Sequence, residues 1–168
     1  MNNTAIQILS LREYPERAEE CKAILAEHFN EFTSYHPEQV LASSEALPQG
    51  YFALKDDRVV GWTGLQEKEV VSGKVYGWED TLKQGEIMSE NLSPWITPLL
   101  VHPDERGNSY GKLLLDYARK CAGALGFERV YLTTGEIVYY EKYGFREVGL
   151  TTFFGGRPTK VYEAEVYK

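Results

Sequence analysis

Apolar positions along this chain switch between a period of two and a period near 3.6, and the switches mark out its elements. Ile6, Ile8 and Leu11 with polar neighbours predict a first strand near 5–11. Pro15, followed by Ala18, Cys21, Ile24, Leu25 and Phe29 at helical spacing, predicts an amphipathic helix. Residues 33–50 hold Pro37, Pro48 and Gly50 around Val40 and Leu41, which reads as a short second helix and a loop. Tyr51 to Leu54 and Val59 to Leu65 flank the polar turn Lys55-Asp56-Asp57-Arg58, the pattern of a hairpin. Over 68–94 the periodicity lapses and Gly, Ser, Glu and Lys dominate; a loop of that length inside a domain is a candidate substrate-binding insertion.

Trp95 to His102 reads as a strand with Pro98 inside it, and because proline has no N–H to donate to a ladder, a bulge or an unpaired edge is expected there. Tyr110, Leu113, Leu114, Tyr117, Ala118, Cys121 and Leu125 then follow the i, i+3, i+4 rule up to Gly126 and predict a long helix. Arg129 to Thr133 reads as a strand, Glu136 to Tyr143 as a short helix closed by Gly144, and 145–153 with 160–167 as a closing antiparallel pair. Alternation of strands and helices from 95 onward implies a mixed sheet with helices on both faces, an α/β (α+β) architecture.

Composition narrows the function classes. A chain of 168 residues, 43% hydrophobic and 26% charged, fits a single domain over 1–168 with a packed core. No apolar run is long enough to span a bilayer, and the first residues lack a basic flank and an apolar signal core, so a cytoplasmic location without membrane contact is expected. Cys21 and Cys121 are far apart and have no ligand-spaced neighbours, which argues against a disulfide framework or a metal site. The net charge of −7 offers no basic footprint for nucleic acid. It suits a cationic partner, as do Glu79, Asp80, Glu86 and Glu90, although acidic residues equally serve solubility.

The chemistry concentrates in Arg106-Gly107-Asn108-Ser109-Tyr110-Gly111-Lys112, between the proline-interrupted strand and the long helix. Small and polar residues let the backbone turn tightly there, so that several N–H groups and the positive end of the helix dipole face one spot, as a diphosphate requires. Arg106 and Lys112 would add charge. Many glycine-containing turns merely connect elements, so the loop alone is weak evidence. Nucleotide motifs fail here: Leu113 stands where a Walker loop needs Ser or Thr, and the Rossmann glycine spacing is absent.

The stretch from Val101 to Leu114 resembles the fourth strand, diphosphate loop and third helix of the GNAT family of N-acetyltransferases, whose loop reads Gln/Arg-x-x-Gly-x-Gly/Ala. Tyr139-Tyr140-Glu141-Lys142-Tyr143-Gly144-Phe145 resembles that family's C-terminal tyrosine motif, in the expected order. The resemblance implies a mostly antiparallel central sheet that splays between the fourth strand, 95–102, and the fifth, 129–133. Two departures stand out. Ser109 replaces the usual middle glycine; it is expected to keep φ < 0 and to cap the helix through its hydroxyl. The segment 134–138 lacks the asparagine that many members set against the cofactor.

What the resemblance implies is acetyl transfer from acetyl-coenzyme A, with no metal, to a primary amine of a small molecule or peptide by direct attack. Its cofactor groove would be formed by Leu99, Leu100 and Val101, by 106–112 including Gly107, Asn108, Tyr110 and Gly111, and by Tyr140 and Tyr143. Leu99 N–H would face the acetyl carbonyl as oxyanion donor, and Val101 would hold the pantetheine like an added strand. Tyr140 aligns with the general acid: a phenol near pKa about 10 and a thiol near about 8.5 exchange a proton at little cost, worth roughly 10²–10⁴ in rate. Packing of Tyr139, Tyr140 and Tyr143 against the core is the plainer alternative. Glu67 or Glu69 is a candidate base, with solvation the commoner fate of such residues. His28, His36 and His102 are isolated, and Trp62, Trp78 and Trp95 suit either a substrate pocket or the core. A homodimer through the C-terminal strands is a further expectation, and a non-catalytic acyl-coenzyme A sensor of the same fold is the rival reading.

Overall fold

The computed structural model describes residues 5–28, 45–67, 70–71, 74–75, 92–134, 138–152 and 158–168. β1 (Gln7–Ser10) leads through a 3-10 turn at Pro15–Arg17 into α1 (Ala18–His28). Pro15 opens that turn where its missing N–H costs no bond, and Glu16, Glu19 and Glu20 complement the positive end of the helix dipole. β2 (Gln49–Lys55) and β3 (Arg58–Gln66) form the expected hairpin. Its two turn residues, Asp56 and Asp57, take φ of 51° and 60°, the primed geometry that matches the twist of the flanking strands.

Successive strand residues project to opposite faces, and the hairpin uses both. Phe52 and Trp62 pack with Leu11, Cys21, Ile24 and Leu25 beneath α1. Tyr51 and Ala53 face the other way, against α2 (Tyr110–Ala124), where Leu115, Ala118 and Ala122 join the larger core and Leu114 meets Ala53 and Val60. Helices therefore cover both faces, as the element alternation requires.

β4 (Val70–Val71) and β5 (Lys74–Val75) form a separate two-stranded hairpin. The main sheet adds β6 (Trp95–Ile96), β7 (Leu100–Val101), β8 (Arg129–Thr134), β9 (Arg146–Thr152) and β10 (Pro158–Glu165) in the order β1-β2-β3-β6-β8-β10-β9, with β7 also beside β3. The described pairings are antiparallel except β6 with β8, which run parallel at Trp95 and Tyr131.

The structure differs from the sequence reading in several places. The strand expected over 95–102 is two strands. Leu65 pairs with Ile96 and Trp62 with Leu100, so Thr63 and Gly64 oppose three residues, Thr97, Pro98 and Leu99: a bulge centred on the residue that cannot donate. The helix expected over 136–143 is only a 3-10 turn at Glu141–Tyr143. Val138 at φ 70° and Gly144 at φ 89° bracket it with left-handed backbone, and a right-handed helix cannot continue through such a residue; 135–137 lie outside the described residues. The second helix sought in 33–50 falls mainly on 33–44, also outside them, and 45–48 form bends leading into β2.

Candidate active site

The bulge opens the sheet. Before it, Tyr131 N–H donates to Pro94 O at 3.0 Å and joins β6 to β8; after it, β7 pairs with β3 alone among the described residues. His102 N–H donates to Val60 O at 2.8 Å, so the peptide groups of Val101, one residue earlier, face the opposite edge, toward the gap before β8. Val101 O there accepts a hydrogen bond from Arg106 Nε at 3.2 Å. An antiparallel pair thus holds one edge of β7, while no strand among the described residues pairs with the other.

One wall of the gap is the loop into α2. It begins with a 3-10 turn at Pro103–Glu105, whose Asp104 N–H donates to His102 Nδ1 at 3.2 Å. Glu105 anchors the loop to the β2–β3 hairpin through Lys55 at 2.9 Å and Arg58 at 3.2 Å. The hydrogen bond from Lys55 holds the Glu105 carboxyl below its usual pKa and raises that of Lys55 in return. Gly107 takes φ 86°, and Asn108 Nδ2 donates to Glu105 O at 3.0 Å.

Ser109 departs from expectation. Its φ is 63°, in the left-handed region, and its hydroxyl makes no capping bond, while its carbonyl accepts the first helical bond from Leu113 N–H at 3.2 Å. Loop geometry overrides side-chain preference here: the turn demands the angle a glycine would give freely, and a hydroxyl on a residue so oriented does not reach back over the helix start. The first amides of α2 have no intrahelical acceptor and lie at the positive end of the dipole.

The other wall is the tyrosine turn. Tyr140 is 9% exposed and meets Tyr139 edge to face at 4.8 Å and Phe145 at 5.8 Å. Its carbonyl accepts from Tyr143 N–H at 3.0 Å and Phe145 N–H at 3.2 Å. Two longer-range bonds fix the turn: Arg119 Nη1 donates to Tyr143 O at 2.7 Å, and Tyr162 O–H donates to Glu141 Oε1 at 2.7 Å. That hydrogen bond lowers the Glu141 carboxyl pKa and pushes the Tyr162 phenol up to about 12.

Between the walls lies a cleft of about 660 Å³. Leu99, Leu100 and Val101 line its floor, Arg106, Gly107, Ser109, Tyr110 and Gly111 one wall, and Tyr140 and Tyr143 the other. The sequence-predicted groove residues are thus brought together, with two exceptions: Asn108 is turned to Glu105, and Lys112 is drawn along the helix to Asp116 at 2.5 Å. The sequence reading missed Tyr139 and Lys142, which also line the tyrosine wall. A helical reading of 136–143 obscured them, because a 3-10 turn places its side chains at different angles. Glu67 is exposed just past the end of β3 and does not line the cleft; Glu69 and Trp78 lie outside the described residues, as do the four acidic residues from Glu79 to Glu90. Trp62 and Trp95 are fully buried core residues. No described lining residue is a carboxylate or an imidazole, and no described helix is long and apolar enough to cross a membrane.

Comparison with known proteins bears on the fold and the family. No curated protein sequence matches the chain. Among solved structures, an aminoglycoside 6'-N-acetyltransferase complexed with coenzyme A superposes with a TM-score of 0.68 at 17% identity, covering 98% of both chains. The aminoglycoside 6'-N-acetyltransferase from Enterococcus faecium gives 0.66 at 17% identity over 98% of each chain. Ard1 from Thermoplasma volcanium gives 0.68 at 16% identity, over 98% of this chain and 99% of its own. The sequence model of the acetyltransferase (GNAT) family matches residues 8–145. That match spans most of the chain, and the chain belongs to the GNAT acetyltransferase family.

Proposed function

We propose that this protein transfers the acetyl group of acetyl-coenzyme A to a primary amine of a small molecule by direct attack in a ternary complex. The observation that carries the reading is the open edge of β7, which runs into a cleft walled by the start of α2 and by Tyr140. On this reading pantetheine lies along Val101 as an added strand and the diphosphate meets the amides of 107–112. Leu99 N–H stabilises the negative charge that develops on the thioester oxygen. The amine lone pair attacks the carbonyl carbon, the C–S bond breaks, and the departing sulfur takes the phenolic proton of Tyr140 while the amine gives its proton to solvent. Likeness to aminoglycoside 6'-N-acetyltransferase structures supports a small-molecule amine as the acceptor.

Binding is tested by thermal shift: acetyl-coenzyme A at 100 times its Kd stabilises the folded state by about 2.7 kcal/mol, and millimolar ligand without a shift refutes the reading at its first step. A panel of amines assayed by free thiol release identifies the acceptor class, and inactivity across basic amines removes the cationic acceptor.

The absence of a carboxylate or imidazole among the described lining residues favours one rival, an acyl-coenzyme A sensor without turnover. Tyr140→Phe separates the two. An enzyme loses roughly 10²–10⁴ in kcat and keeps its cofactor affinity, whereas a sensor has no thiol release to lose.

A further inference from the structure

Among the described residues, two cationic side chains line the cleft, on separate elements: Arg106 on the loop before α2 and Lys142 in the tyrosine turn. Lys112, the cation that sequence spacing would choose, is tied to Asp116. Lys142 has no carboxylate partner among the described residues. Its ammonium instead lies 4.9 Å from the centre of the Tyr139 ring and 5.2 Å from that of Tyr143, two rings that meet edge to face at 5.3 Å. Tyr139 carries this pair up to the start of α2, where a Cβ on Gly111 would stand 2.6 Å from its phenolic oxygen. Two aromatic rings hold the ammonium without neutralising it. In a cleft whose described lining holds no carboxylate, such an uncompensated cation is placed to receive an anion.

The geometry points to Lys142 as a phosphate-binding side chain, taking a phosphate of the nucleotide half of coenzyme A from the tyrosine turn packed against the start of α2. This rests on the acetyl-transfer reading, which supplies the phosphorylated ligand, and extends it to a residue outside the loop. The cofactor is then gripped by two elements, the loop with its amides and Arg106, and the tyrosine turn with Lys142.

Calorimetric titration of wild type, Lys142→Met and Lys142→Arg with coenzyme A tests it, alongside turnover with S-acetylpantetheine, which carries no phosphate. Lys142→Met is expected to weaken coenzyme A about tenfold, the scale of one charge-assisted contact, and Lys142→Arg to retain the affinity. The KM for S-acetylpantetheine is expected to be the same in all three. Dephospho-coenzyme A then names the phosphate: a Lys142→Met penalty that persists belongs to the diphosphate, and one that disappears belongs to the 3'-phosphate. Unchanged coenzyme A affinity in Lys142→Met, or an equal loss with S-acetylpantetheine, overturns this inference and leaves the acetyl-transfer reading standing. Wild-type protein that binds no coenzyme A overturns both.

Discussion

Ser109 holds a backbone angle that costs an L-residue roughly 1–2 kcal/mol, and it does so at the head of the helix lining the cleft. Glycine escapes that cost but loses about 0.5–1 kcal/mol more in chain entropy on folding. Ser109→Gly is therefore expected to stabilise the fold by about 1 kcal/mol, raising Tm by about 2–4 °C in calorimetry, while a β-branched Ser109→Val lowers it. The Tyr162–Glu141 hydrogen bond makes a prediction in pH. Tyr162 keeps its proton in the folded state to about pH 12 instead of 10.0, because Glu141 accepts its hydrogen bond and the ring is buried. A raised folded pKa contributes stability that is whole below the unfolded value and is lost as pH climbs to the folded one. Urea unfolding between pH 9 and about 12 is expected to show wild type losing stability more steeply than Tyr162→Phe; parallel curves would remove the bond's role.

α2 does two jobs: its start forms one wall of the cleft, and Arg119, near its middle, braces the other. Arg119 is 5% exposed and stacks over Tyr167 at 4.2 Å and Phe145 at 5.3 Å. It donates to Glu165 O at 2.8 Å and to Tyr143 O at 2.7 Å. Arg119→Met leaves two carbonyls without donors and is expected to cost about 3 kcal/mol in urea unfolding. Arg119→Lys recovers little, since one ammonium cannot reproduce a planar fork that bonds two carbonyls while stacking on two rings. None of this was legible in the sequence. Arg119 interrupts the apolar stripe of the predicted helix, and its partners lie 24 and 46 residues further along the chain. The helix itself was legible because Tyr110, Leu113, Leu114, Tyr117, Ala118 and Cys121 repeat at its period, although the face it buries is centred on Leu114, Leu115, Ala118 and Ala122 and leaves Leu113 exposed.

At the scale of the molecule, the sheet has two parts, β1-β2-β3 with β7 and β8-β10-β9, joined through β6. Trp95 is central to that join: it pairs with Gln66 and Tyr131, stacks on Tyr131 at 5.6 Å and donates from Nε1 to Leu92 O at 2.9 Å. Trp95→Ala is expected to cost about 3–5 kcal/mol, read from the urea midpoint, and to weaken acetyl-coenzyme A binding by loosening the hinge of the gap. The sequence by itself determined the hairpin, both long helices, the closing antiparallel pair and the break at Pro98, because each follows from a local period or from one missing N–H. It also set the glycine-containing loop 106–112 and Tyr140 in order along the chain. Only the tertiary structure decided which edge of β7 stays open, that Ser109 takes the angle of a glycine, that Lys112 turns to Asp116, and that Lys142 faces the cleft in its place. Those outcomes depend on what distant segments present to each residue, and no local period encodes that.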